Sequence, residues 1–595
     1  MKQFFKQTLA SFVGSLAGLF FFFALSGGGL LIFILALLLS NNNPKIENQS
    51  VLVFNLNTQI NDYQSGTDLS SILSENNQTL TLREVTTAIN KAAKDNRIKA
   101  LYLDGSRGNI TAGYANLTEI RNALENFKAS GKKIIAYNVS HNEADYFLTS
   151  IASEINLNPI GELEMNGFAS SQLFFASALK KYGIGAQVIR VGKFKSAVEP
   201  FSLDNYSKES EAQTTELIKD LWDSYLENIT KNRPLKTGEI NNIADNKGIL
   251  LAQQAQDLKL VDKLRYQDEI ITQLKDITNT KNQDSFREIT IQDYLAANPA
   301  DDINSNNQIA ILYLEGSIVD GEGRIGEIGS QRFVAEIRKI RQDKNIKGVI
   351  ARINSPGGSA IASELILREL QLTAKKKPLV ISMGNVAASG GYWIATAGER
   401  IFASNNTITG SIGVLSILFN VEKIAQDNGI NNGVIKTNEF ANLGNGFNAK
   451  NEAELNIFQQ NVDHIYELFL ERVSTARNLP ISKVAEIAQG RVWSGKSAQK
   501  IGLVDEIGGL DKSIEYLTEK LQLNNNYQVV SFPEQITWEG QLLNRLSNSQ
   551  INSNFSDKEK LAQIIWELNT ELQLTNIIEN PNQIYTILPF KLNIK

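Results

Sequence analysis

The segment Asn385–Ile401, NVAASGGYWIATAGERI, sets Ser389 between alanines and glycines. Such a serine either lets a helix start pack closely or acts as a nucleophile, and a hydroxyl nucleophile needs a base to take its proton. The chain has only two histidines, His141 and His464, and no cysteine. Disulfides, thiolate catalysis and cysteine-ligated zinc are therefore excluded, and a histidine-rich metal site has no material. His464 lies in NVDHIYELFLERV, a helix-like stretch, and His141 in NVSHNEADYF reads as a surface or loop residue. Neither is a compelling base, so a lysine is the alternative: burial favours its neutral amine, and Ser–Lys pairs are an established variant of triad chemistry.

Where that lysine sits follows from an internal repeat. DYFLTSIASEI (Asp145–Ile155) lies over GYWIATAGERI (Gly391–Ile401) with Tyr146 on Tyr392, an offset of 246 positions. The same offset puts Tyr182–Ala197 over Asn428–Leu443. RIKALYLDG pairs with NIKGVIARI at an offset of 248, and LVDKL with LVDEI at 243. Similar segments in one order, with small indels, indicate duplication. Under this alignment Ser389 falls on Glu143, and Lys195 of GKFKSAVEPF falls on Ala441. Each half holds one candidate that the other lacks, which is what a nucleophile and base divided between two repeats would look like. A third element is RINSPGGSA (Arg352–Ala360), a glycine-rich turn between an apparent strand and a helix, whose backbone N–H groups suit a developing oxyanion.

The elements that must position these residues alternate. Apolar runs such as SVLVFNL, IKALYL and KKIIAYN, then IAILYLEG, IKGVIARI and KPLVISM, are separated by helix-like TEIRNALENFKASG and SELILRELQLTAKK. That pattern predicts an α/β fold with mainly parallel strands. A 595-residue chain exceeds one domain. The expected organisation is an N-terminal membrane anchor over 1–45, a first repeat over 46–305, a second over 306–530 and a helical tail over 531–595. The boundary between repeats falls in the polar run NPADDINSNNQ, and DKEKLAQIIWELNTELQL in the tail reads as a packing helix.

The anchor rests on a run free of charge from Phe12 to Leu39, preceded by Lys2 and Lys6. About 20 apolar residues cross a bilayer, and this run exceeds the apolar region of a cleaved signal peptide. The lysines in front, with only Lys45 close behind, place the N-terminus in the cytoplasm and the remainder outside. A net charge of −5 gives no electrostatic case for nucleic acid.

In combination, GKFKSAVEPF, RINSPGGSA, AASGGYW and TGSIGV resemble the long, duplicated form of the S49 serine peptidases, the signal peptide peptidase A family. The resemblance implies two tandem Clp-protease/crotonase-like domains and a Ser–Lys endopeptidase that needs no metal or organic cofactor. It implies Ser389 as nucleophile, Lys195 as general base, Ser411 of TGSIGV as the residue orienting the lysine, and the N–H groups of Gly357 and Gly390 as the oxyanion hole. It further implies a homotetramer in the bacterial inner membrane, single-pass, with the catalytic part on the periplasmic side, acting on apolar remnants of cleaved signal peptides. Two other classes stay open from the residues: a non-catalytic membrane scaffold or inhibitor of envelope proteolysis, and a crotonase-like acyl-CoA enzyme, against which the export-oriented anchor speaks.

Overall fold

The computed structural model describes residues 44–64, 78–298, 305–524, 526–534 and 585–587. The apolar run Phe12–Leu39 and the tail stretch DKEKLAQIIWELNTELQL lie outside these residues. Among the described residues no helix is long and apolar enough to cross a membrane.

Two mainly parallel sheets carry the two repeats, the second with one antiparallel edge pair, Ile408–Gly410 with Val492–Ser494. The first runs, in spatial order, Lys263–Leu264, Glu154–Leu157, Lys133–Asn138, Ile98–Gly105, Ser50–Asn55 and Glu288–Thr290. The second places Glu506–Ile507, Ile401–Ala403, Leu379–Ala388, Ile346–Ser355, Gln308–Glu315 and Gln528–Phe532 in the same order. Strands paired by the sequence offsets thus occupy equivalent places. Smaller contacts repeat as well: the Tyr146 hydroxyl donates to the Leu260 carbonyl at 2.8 Å, and that of Tyr392 to Leu503 at 2.8 Å. Arg233 pairs with Asp262 as Arg477 pairs with Asp505.

Both sheets are covered on two faces, which is why their strands read as nearly continuous apolar runs. Along Ile98–Gly105, Leu101 and Leu103 pack with Ile120 and Leu124, while Ala100 and Tyr102 on the other face pack with Ile270 and Leu274. The second sheet alternates in the same way, Ala351 and Ile353 against Ile366 and Leu370, and Ile350 against Leu510 and Leu517.

A third sheet joins the halves. Its order is Ile328–Gly329, Ile318–Val319, Gly357–Ser359, Tyr585–Ile587, Val414–Asn420 and Gly185–Val191. Here Gly185–Val191 of the first repeat runs antiparallel to Val414–Asn420 of the second, with Val191 opposite Val414 and Gly185 opposite Asn420. This departs from the mainly parallel pairing that the alternation predicts, because the strand crosses from one repeat to the other instead of following a βαβ unit. Within the tail, Tyr585–Ile587 is a strand laid antiparallel on Gly357–Ser359.

Candidate active site

The strand Leu379–Ala388 ends at Ser389, which takes φ 56° and ψ −115° before the helix Gly390–Ala395 begins. That left-handed conformation is strained for a residue with a side chain, and it turns the chain sharply from strand to helix. Two backbone bonds hold the corner: the Ser389 N–H donates to Gly410 O at 2.8 Å, and the Trp393 N–H to Ser389 O at 2.8 Å. The flanking glycines have a steric reason, since a Cβ on Gly391 would stand 2.9 Å from the Ser355 carbonyl oxygen. The nucleophile's helix therefore sits directly against the Ser355–Gly358 turn, and the two glycine motifs come together. In that turn Gly357 and Gly358 have φ of 105° and 155°, and a Cβ on Gly358 would lie 1.9 Å from Ile318 O. The Gly357 N–H donates to Ser355 Oγ at 3.2 Å, while Gly390 opens the helix with its N–H in the first turn.

Lys195 arrives from the other repeat within the same chain. Because Val191 pairs with Val414, the loop that follows one strand meets the loop that precedes its partner. Lys195 Nζ lies 2.7 Å from Ser389 Oγ, 2.9 Å from Ser411 Oγ and 3.0 Å from the Ser411 carbonyl oxygen. All three residues are fully buried. Burial holds the Lys195 amine well below the usual lysine range, because a dry environment penalises the cation. A neutral amine keeps two N–H donors for Ser411 and one lone pair, which can accept the Ser389 hydroxyl proton. Ser411 is fixed in turn by its own left-handed backbone, φ 51°, and by donating its N–H to Arg491 O at 2.7 Å.

Two positioning residues escape sequence reasoning. Gln213, on the helix Lys208–Thr230, donates through Nε2 to Phe194 O at 2.9 Å and Ser196 Oγ at 3.1 Å, and accepts the Val492 N–H at 3.2 Å. It clamps the residues on either side of the lysine. Gly490 lies against Lys195 itself: its φ is 76°, and a Cβ there would stand 2.6 Å from Lys195 Cβ. Gly490→Ala is thus expected to displace the lysine backbone and lower kcat by at least ~10-fold with a smaller change in KM, since it would remove positioning more than substrate binding. Steady-state kinetics checks the split, and a wild-type kcat would show that the loop accommodates the methyl group.

The first repeat has no equivalent chemistry. Glu143 stands at the position of Ser389, and its Oε1 accepts the N–H groups of Asn166 at 2.7 Å and Gly167 at 3.3 Å. His141 is not a surface residue: it is 2 % exposed, neither ring nitrogen has a hydrogen-bond partner among the described residues, and its ring meets Tyr146 edge-on. Its burial lowers the imidazole to about 3, so it stays neutral within an apolar corner. His464 is exposed on the helix Glu452–Arg477, as its sequence context indicates.

A buried serine on a strained strand-to-helix corner, facing a depressed lysine within a doubled Clp-protease-like α/β fold, defines a serine-type endopeptidase. Comparison with known proteins agrees. The family model described as "Peptidase family S49" matches residues 126–281 and 371–524, and that described as "Clp protease" matches 302–409. The chain belongs to peptidase family S49. It is 34 % identical over 468 residues to "Protease 4" of Salmonella typhi, covering 77 % of this chain and 75 % of that one. To "Protease 4" of Haemophilus influenzae it is 33 % identical over 534 residues, covering 87 % and 86 %. "Serine protease SPPA, chloroplastic" of Arabidopsis thaliana is 32 % identical over 492 residues, covering 82 % and 71 %.

Proposed function

We propose that this S49 peptidase cleaves apolar peptides, the remnants of signal peptides after their release, through a Ser389–Lys195 dyad. The single observation that carries the dyad is the 2.7 Å contact between Lys195 Nζ and Ser389 Oγ in a fully buried setting. Neutral Lys195 takes the Ser389 proton as Oγ attacks the scissile carbonyl carbon. The carbonyl oxygen gains negative charge, and the N–H groups of Gly357 and Gly390 stabilise it. The Lys195 ammonium then returns its proton to the leaving amine, and an acyl-Ser389 remains. Water loses a proton to the regenerated amine and attacks the ester, and as the C–Oγ bond breaks the Lys195 ammonium returns that proton to Ser389 Oγ, which frees the second product and restores the dyad. Ser411 keeps the lysine aimed through both steps.

The apolar run Phe12–Leu39 would anchor the chain once in the inner membrane of a bacterium, with the two repeats (46–305 and 306–530) on the periplasmic side and four copies assembled. Its substrate preference is physically coherent, since an extended peptide can add to a sheet edge while apolar side chains fill pockets.

The test is hydrolysis of an apolar, signal-peptide-like fluorogenic substrate by the detergent-solubilised full chain. Ser389→Ala is expected to lose at least ~10³-fold in kcat/KM. Wild-type turnover should rise with pH through an apparent pKa below the ordinary lysine value of about 10.4, since the active form is the deprotonated amine. Retention of a tenth of the activity by the alanine variant would remove Ser389 from the chemistry.

A further inference from the structure

The strand pair that joins the halves has a second, unused set of parts. In the chain, Gly185–Val191 of the first repeat pairs with Val414–Asn420 of the second. The 246-position offset gives each strand a counterpart in the other repeat: residues 431–437 correspond to the first and 168–174 to the second. Neither counterpart belongs to a strand or a bridge among the described residues.

Each counterpart nevertheless keeps one mark of the paired strands: residues 431–437 follow the same turn as Gly185–Val191, and residues 168–174 show alternating burial. The short helix Ala176–Lys181 ends in Gly183 with φ 72°, and its equivalent Glu422–Asp427 ends in Gly429 with φ 74°. The same bond closes each turn, from the Ile184 N–H to Leu179 O at 2.9 Å and from the Ile430 N–H to Ala425 O at 2.8 Å. The chain therefore leaves both turns in the same local conformation. Only after the first does it find a partner. Residues 168–174 alternate between half-buried and exposed along their length, the period of a strand with one covered face. Residues 431–437 are exposed throughout, with Ile435 wholly so and Val434 at 42 %. An exposed segment outside any sheet that carries two adjacent β-branched residues, Val434 and Ile435, is a template for strand pairing with another chain.

We propose that residues 431–437 of one chain add as an antiparallel strand to residues 168–174 of a second copy of this chain. The register follows from the internal pair: Phe168 lies opposite Thr437, Ala169 opposite Lys436 and Phe174 opposite Asn431. Each chain offers one donor and one acceptor, so the contact is head-to-tail and builds a ring when the rotation closes. At this junction Glu143, Met165 and Ala441 occupy the places that Ser389, Ser411 and Lys195 hold within the chain. The contact is thus structural, and each chain carries one dyad. The proposal names the contact for the assembly put forward above and does not depend on the Ser–Lys chemistry.

The chain has no cysteine, so engineered thiols report on one pair. Opposed residues of an antiparallel pair lie about 4.5–5.5 Å apart at Cα, within disulfide reach. Full-length Ala169→Cys/Lys436→Cys, solubilised in detergent and oxidised, is expected to move most of the monomer band into thiol-reversible dimers and larger species. Ala169→Cys/Asn431→Cys, five positions out of register, is expected to remain monomeric on the same gel. An unchanged melting temperature of the reduced variants confirms folding, and light scattering of the wild type gives its assembly state. Oligomers without the in-register link, or equal linking of the control, overturn this contact and leave the assembly standing. A wild type that scatters as a monomer overturns both.

Discussion

Lys195→Met is expected to abolish turnover while changing how stability depends on pH. Methionine matches the length of the lysine stem and removes only the group that can hold a proton. With Ser389 left without a base, a loss of about 10²–10⁴-fold in kcat follows from the worth of a positioned general base. The stability effect has a definite sign. The folded-state pKa of Lys195 is depressed by burial, whereas the unfolded chain titrates near about 10.4. Between those values the unfolded state binds more protons, so wild-type stability rises with pH. Below the depressed value the burial penalty is constant and at its largest. The wild type should therefore gain on Lys195→Met as pH rises through this window and cease gaining above it. Melting temperatures of both proteins from neutral to alkaline pH read this directly. A difference that stays flat would mean that the amine titrates as an exposed lysine does, and the proposed base would lose its physical basis.

What the sequence made legible and what it hid have distinct physical causes. The duplicated α/β pattern was readable because buried parallel strands leave unbroken apolar runs, and because the offsets near 246 recur in residues that hold the same place in each sheet. Ser389 and Lys195 stood out because each lacks a counterpart in the other repeat. Their meeting depends on a strand pair between halves, and antiparallel pairing of Gly185–Val191 with Val414–Asn420 leaves no local signature. Gln213 is one polar residue among many on an amphipathic helix, and only its bonds to Phe194 and Ser196 distinguish it. Gly490 resembles any turn glycine until Lys195 Cβ is seen where its side chain would be. His141 does lie in a loop, between Lys133–Asn138 and Glu143–Thr149, but not at the surface: polar neighbours in NVSHNEADYF suggest exposure, whereas the fold buries the imidazole beside Tyr146.

Arg352→Met is expected to be the most damaging change away from the dyad, because this residue locks the two repeats together beneath the glycine turn. Arg352 lies on the strand Ile346–Ser355 of the second repeat and is 1 % exposed. Its Nε and Nη2 donate to Asp62 Oδ1 at 3.0 and 2.8 Å, and its Nη1 stands 2.8 Å from Glu119 Oε1. It also donates to Ser382 Oγ at 2.9 Å and to Asn116 Oδ1 at 3.1 Å. Asp62, Asn116 and Glu119 come from the first repeat, so one guanidinium is shared between two buried acids across the junction. Burial already raises Glu119 to about 6, even with Arg352 lowering it. Removing one partner of a buried pair strands the other charge, at a cost of about 3–5 kcal/mol. The loss should vary with pH in a predictable direction. Without Arg352, Glu119 titrates higher still, so the folded variant binds more protons than the unfolded chain above about pH 4.3 and its stability falls as pH rises. The deficit relative to wild type should therefore be smaller near pH 5 than near pH 8, and Asp62→Asn added to Arg352→Met should recover part of it. Urea midpoints at the two pH values measure both effects. A single variant that unfolds within about 1 kcal/mol of wild type would show that the acids find other partners. Because the same strand ends in the Ser355–Gly358 turn, loosening its root should also blunt turnover before the protein unfolds, coupling the junction between repeats to the oxyanion side of the site.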